Sequence, residues 1–204
     1  VCLTWARTPA ELAGADWIVL PGSKHTSGDL AWLRAQGLDE AIRRHAGAGR
    51  PLLGVCGGLQ MLGRALHDPH GVDGAAAGLD LLPVETTFGV EKLLRPGRVC
   101  FDALDAPWAA LSGVAFDGYE IRHGRTLALG ECDVALRNAD GEAIGWQRGN
   151  VLGVYAHGLF ESADVLKALF AVSVPSLDEV FDGLADYVDQ HFEAGVLEGL
   201  VKVG

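Results

Sequence analysis

Two uninterrupted apolar runs stand out along the chain. Trp17-Ile18-Val19-Leu20 is stopped by Pro21-Gly22, and Leu52-Leu53-Gly54-Val55 follows Pro51. Runs of this kind predict strands buried on both faces, as in a parallel sheet. Between them the spacing is helical: Leu30, Trp32 and Leu33 mark one helix, and Leu38, Ala41, Ile42 and Ala46 share a face of another that Gly47 and Gly49 close. A short helix is expected after Thr8-Pro9-Ala10-Glu11, which has capping-box spacing with proline at the first helical position. The apolar residues 1–5 before it read as a strand. Beyond Cys56-Gly57-Gly58, the spacing Leu59, Leu62, Leu66 is again helical. Strands and helices joined by short connections predict a parallel sheet covered by helices.

From residue 82 to about 147 the pattern shortens. Strand candidates at 82–88, 97–101, 114–121, 126–129, 134–137 and 143–147 are broken by Gly, Asp and Asn, which predicts antiparallel hairpins extending the sheet. One more buried strand, 151–155, ends at Ala156-His157-Gly158. Helices follow at 163–171 and at 177–192, the second with Leu177, Val180, Phe181, Leu184, Val188 and Phe192 on one face. No repeat or linker divides the chain, so residues 1–204 read as one α/β domain. The expected architecture is a three-layer sandwich around a mixed, mainly parallel sheet of flavodoxin-like character.

Composition narrows the function. With 49% apolar residues the chain can bury a core, and a net charge of −11 is a poor match for a phosphate backbone, which argues against nucleic acid as a partner. No apolar run approaches the roughly 18–20 residues of a membrane span. The four cysteines, Cys2, Cys56, Cys100 and Cys132, form no CxxC pair, so no metal ribbon or disulfide framework is expected and a reducing cytoplasm fits. Glycine, 28 residues in all, occurs at about twice its average share of roughly 7%, which implies tight turns or backbone close to a ligand.

The strongest chemical signal is Gly54-Val55-Cys56-Gly57-Gly58-Leu59-Gln60, where a buried strand turns into a helix. This is the pattern of a nucleophile elbow. A thiol at a helix N-terminus is expected to favour the thiolate and to react at neutral pH. It needs a base, and His157 ends an apolar strand of the kind that converges on the binding crevice of a parallel sheet. His67 and His70 flank Asp68-Pro69 without a third clustered ligand, so no metal site is expected. The backbone N–H groups of Gly57 and Gly22 are candidate oxyanion donors. Gly22-Ser23-Lys24 lacks the order of a phosphate-binding loop.

The elbow resembles the nucleophile motif of class I glutamine amidotransferase domains. Leu20-Pro21-Gly22-Ser23-Lys24-His25-Thr26, Tyr119-Glu120-Ile121 and His157-Gly158-Leu159-Phe160 resemble the corresponding blocks of the cobyric acid synthase branch. The resemblance implies that Cys56 attacks the side-chain amide of glutamine, with His157 as general base and acid, giving a γ-glutamyl thioester and ammonia. It implies Gly22 and Gly57 as the oxyanion hole and Gln60 as a substrate-holding residue. It further implies an N-terminal synthetase domain that uses ATP and Mg to amidate adenosylcobyrinic acid a,c-diamide to cobyric acid in cobalamin biosynthesis. No cofactor is expected within residues 1–204.

Three departures from the family pattern matter. Leu159 occupies the place of the glutamate that orients the imidazole in the wider class, which leaves Glu120 and Glu161 as candidate orienting carboxylates. Arg122 stands where the branch usually has histidine, with His123 beside it. The chain is also expected to begin after the first strand of the family's domain, without the synthetase half. Two other readings stay open. One keeps the chemistry with another acceptor, as in cobyrinic acid a,c-diamide synthase or cell-wall isoglutaminyl synthase. The other is a catalytically inactive interaction module.

Overall fold

The computed structural model describes residues 1–172, 175, 177–193 and 195–196. Its described strands are β1 (Ile18–Leu20), β2 (Leu52–Val55), β3 (Ala65–His67), β4 (Ala76–Ala77), β5 (Val84–Phe101), β6 (Ala115–Ala128), β7 (Asp133–Asn138), β8 (Ala143–Arg148) and β9 (Val151–Val154). They form one sheet in the order β1-β2-β9-β8-β7-β5-β3-β4, with β6 paired to β5. The helices are α1 (Pro9–Leu12), α2 (Thr26–Ala35), α3 (Leu38–Gly47), α4 (Gly57–Leu62), α5 (Ala163–Phe170) and α6 (Leu177–His191). The expected mixed α/β class holds; β1, β2 and β9 form one parallel group, and β3 also pairs in parallel with β5. The antiparallel share is larger than expected because the β5–β6 hairpin and β7–β8 join the same sheet.

The parallel group places the elbow. Gly54 of β2 is in register with Gly153 of β9, and a Cβ on Gly54 would lie 2.6 Å from Leu62 while one on Gly153 would lie 2.3 Å from Leu59. The missing side chains let α4 settle directly on the sheet. Leu52, Leu53, Leu59, Leu62, Leu152 and Val154 are completely buried around that contact. Each such side chain stabilises the fold by roughly 1.5–3 kcal/mol relative to exposure. A capping box at Thr8 and Glu11 starts α1, as its sequence predicts.

Several expectations need correction. Residues 1–5 form no strand, and Val1, Leu3 and Trp5 are exposed because the segment meets no partner strand among the described residues. Strand β1 is not buried on both faces: Val19 is 38% exposed and borders an open cleft. The helix after Cys56 stops at Leu62, and Leu66 is buried from β3 instead. Gly63 turns the chain there, passing so close to β5 that a Cβ would lie 2.7 Å from the Val84 carbonyl.

The candidates 82–88 and 97–101 are one strand, β5, and 114–121 and 126–129 are one strand, β6, with a register shift between Phe88 and Leu93. Pro96 is tolerated because β5 pairs only with β6 at that point, so no second ladder is interrupted. In α6, Val180, Phe181 and Leu184 are at least half exposed, while the side chain of Leu177 lies outside the described residues. No helix among the described residues is long and apolar enough to cross a membrane.

Candidate active site

Cys56 sits between β2 and α4 with φ 51° and ψ −106°, a conformation that costs a non-glycine residue on the order of 1–3 kcal/mol. Its neighbours make the turn possible. A Cβ on Gly58 would lie 2.0 Å from the Leu20 carbonyl oxygen, and one on Gly57 would lie 2.7 Å from the Ser23 side chain. Only glycine fits in either place. The Cys56 N–H donates to the Val154 carbonyl at 2.8 Å, tying the elbow to β9, and the thiol donates to the Ile121 carbonyl of β6 at 3.4 Å.

His157 follows the end of β9. Its N–H donates to the Tyr119 carbonyl at 2.8 Å, and its carbonyl accepts from the Tyr119 N–H at 3.3 Å. The Tyr119 ring stacks on the imidazole, with centroids 4.9 Å apart and planes 10° from parallel. Gly118 permits this approach, since a Cβ there would lie 2.5 Å from the His157 carbonyl oxygen. Gly22 lies beside both side chains. A Cβ built on that glycine would lie 3.2 Å from Cε1 of His157 and 3.8 Å from Cβ of Cys56. A cleft of about 200 Å3, lined by Val19, Gly22, His157, Phe160 and Glu161 among others, opens beside them; Cys56 does not line it.

Burial sets both protonation states. It pushes the Cys56 thiol above its ordinary 9.0, against the lowering influence of the Gly57 N–H and the Arg122 charge, with Glu120 adding to the rise. The expectation of a resting thiolate is therefore corrected: the six-residue α4 and one backbone donor do not outweigh desolvation of a sulfur only 6% exposed. Burial also lowers His157 below 6.5, with Glu161 opposing. Burial thus favours the neutral thiol and the neutral imidazole.

Behind the thiol lies a buried charge pair. Glu120, 2% exposed, accepts from Arg122 at 2.7 Å, and Asn138 donates to it at 3.4 Å. The guanidinium covers the Tyr155 ring at 4.2 Å and donates to the Gly124 carbonyl at 2.7 Å. Gln60 accepts from the Thr26 hydroxyl at 3.0 Å and donates to the Tyr155 hydroxyl at 3.3 Å, so both ends of its amide are occupied. His123 reaches the Gly89 carbonyl at 3.3 Å, whereas the Arg122 charge acts on the thiol. His67 pairs with Glu85 at 2.8 Å. Neither Glu120 nor Glu161 hydrogen-bonds His157 among the described residues, and Leu159 belongs to the core.

Sequence reasoning placed Cys56, His157, Gly22 and Gly57 in one neighbourhood, and the structure brings them together. It gave no role to Tyr119, Ile121, Arg122 or Tyr155. The available signal was period-two alternation in β6, which separates Tyr119 and Ile121 from Glu120 and Arg122. The partner of each side was not readable.

A family model described as the CobB/CobQ-like glutamine amidotransferase domain matches residues 1–165. The chain is 63% identical over 98% of its length to a cobyric acid synthase of Methylibium petroleiphilum, and 62% identical over 98% to one of Variovorax paradoxus. It spans only 41% and 42% of those proteins. Among solved structures, a glutamine amidotransferase aligns over 89% of this chain and 85% of its own at a TM-score of 0.57 and 22% identity. PurLQS from Thermotoga maritima aligns over 78% of this chain and 80% of its own at 0.59 and 16%. At those identities the structural likeness speaks for the fold alone.

Proposed function

Since the chain belongs to the CobB/CobQ-like glutamine amidotransferase domains, we propose that it hydrolyses glutamine at Cys56 and supplies ammonia for corrinoid amidation. The supporting observation is that Cys56 and His157 both lie beside Gly22. The thiol passes its proton to the imidazole as sulfur bonds to the amide carbon, and the carbonyl oxygen gains negative charge. The N–H groups of Gly57 and Gly22 stabilise that oxyanion; the first already acts on the sulfur. The protonated imidazole then gives its proton to the departing nitrogen, releasing ammonia and leaving a γ-glutamyl thioester. Water, deprotonated by His157, attacks the thioester; glutamate leaves and the thiol is restored.

Gln60, held by Thr26 and Tyr155, contacts substrate in this reading only after exchanging one of those partners. The acceptor is adenosylcobyrinic acid a,c-diamide, converted to cobyric acid by a synthetase portion using ATP and Mg outside this chain. The identity to cobyric acid synthases favours this acceptor over a cell-wall one. The reaction belongs in the cytoplasm, where thiols stay reduced. The test is glutamate release by the full-length protein. Cys56→Ala and His157→Ala are expected to lower it by at least ~100-fold, and retained activity in either would refute the assignment.

A further inference from the structure

We infer that Tyr119 is the positioning residue of His157, holding the imidazole in line with Cys56 by ring stacking and paired backbone bonds in place of a carboxylate. The inference rests on the Cys56–His157 reading above. An imidazole base rotates about two side-chain torsions, and a hydrogen bond to its second nitrogen commonly fixes it. That device is absent among the described residues. Glu120 is committed to Arg122, Glu161 acts on His157 only through its charge, and Nε2 of His157 is buried without a hydrogen-bond partner.

Position 119 instead contacts His157 in two ways. Its N–H and C=O pair with the C=O and N–H of His157, fixing the backbone from which the ring projects. Its own ring lies 10° from parallel to the imidazole and covers one face of it, while Gly22 lies beside the Cε1 edge, where an added Cβ would come within 3.2 Å. Two residues further along the same strand, the Ile121 carbonyl accepts the Cys56 thiol. Two residues of strand span roughly 6.5–7 Å. Residues one dipeptide step apart on β6 thus hold the backbone of His157 and the thiol of Cys56. Tyr119 is 40% exposed, so its ring adds little to the core and its positioning role is separable from folding.

The full-length protein carrying Tyr119→Ala or Tyr119→Phe tests this. Tyr119→Ala is expected to lower kcat for glutamine hydrolysis by ~10–100-fold, the scale of a small misplacement of a catalytic group. KM should change by less than about threefold and the unfolding midpoint should stay put. The acid limb of kcat/KM should rise toward 6.5 as the imidazole loses its cover. Tyr119→Phe, which keeps the ring, should recover kcat to within about threefold of the parent. Wild-type kcat and acid limb in Tyr119→Ala would overturn the inference, as would equal damage from Phe and Ala. His157→Ala measured alongside separates the two levels: full activity there refutes the underlying mechanism, whereas its loss beside an unaffected Tyr119→Ala refutes only the role of Tyr119.

Discussion

Cys56 and His157 are both driven toward their neutral forms by burial, and that shared direction decides how they respond to pH. A base works when unprotonated, and the folded value for His157 lies below 6.5, so glutamine hydrolysis should persist as pH falls past 6.5 and fail only at the depressed value. A pH profile of kcat/KM reads that limb directly; a midpoint above 6.5 would mean that a negative partner, not burial, dominates.

Glu120 shows a different side of burial. It is one half of a desolvated pair with Arg122, and breaking such a pair leaves a charge stranded. Glu120→Ala should destabilise the fold by about 3–5 kcal/mol, and urea unfolding should show a smaller loss when Arg122→Met accompanies Glu120→Leu. Cys56 and His157 are legible as candidates because small residues around a cysteine and a strand-ending histidine have local meaning. The pairing of Glu120 with Arg122 under Tyr155 is not legible, because alternation in β6 puts the two on one face without showing that the distant Tyr155 covers it.

At the scale of elements, the glycines of the elbow are spacing devices. With its Cβ 2.0 Å from a backbone oxygen of β1, Gly58→Ala must push α4 away from the sheet. Overpacking of this kind costs about 1–3 kcal/mol, and because Cys56 rides on the same turn, glutamate release should fall more steeply than stability. Activity and urea midpoint measured on one preparation check this; parallel small changes would argue against a rigid elbow. The β2 and β9 runs are legible because burial along the strand leaves an apolar signature, and β1 carries the same signature although its Val19 is exposed. The β5–β6 hairpin was divided in sequence at Gly89, Pro96 and Gly97, since breakers are read locally while pairing with one neighbouring strand along most of the length keeps the strand whole. Leu66 kept helical spacing but belongs to β3, because Gly63 redirects the chain before the next turn can form.

At the scale of the whole molecule, the mixed α/β class followed from buried runs alternating with helical periods. The distribution of its antiparallel strands required the tertiary register. The amphipathic pattern of α6 identified a helix but not a place to pack, and its Val180, Phe181 and Leu184 remain at least half exposed.

The chain spans 41% of the Methylibium petroleiphilum cobyric acid synthase, and under the proposed function glutamine hydrolysis and ATP-dependent amidation should be separable: this chain alone should yield no ATP-dependent amide product, and the full-length protein should. Product analysis with glutamine and with free ammonia distinguishes the two activities. The central claim is that Cys56 reacts because His157 takes its proton. The most direct measurement is alkylation of the full-length protein by a diazoketone analogue of glutamine, mapped by peptide mass across pH. A single adduct on Cys56, an acid limb below 6.5, and a rate at least ~100-fold slower in His157→Ala are expected. Adducts on Cys2, Cys100 or Cys132 in place of Cys56, or a rate indifferent to His157→Ala, would contradict it.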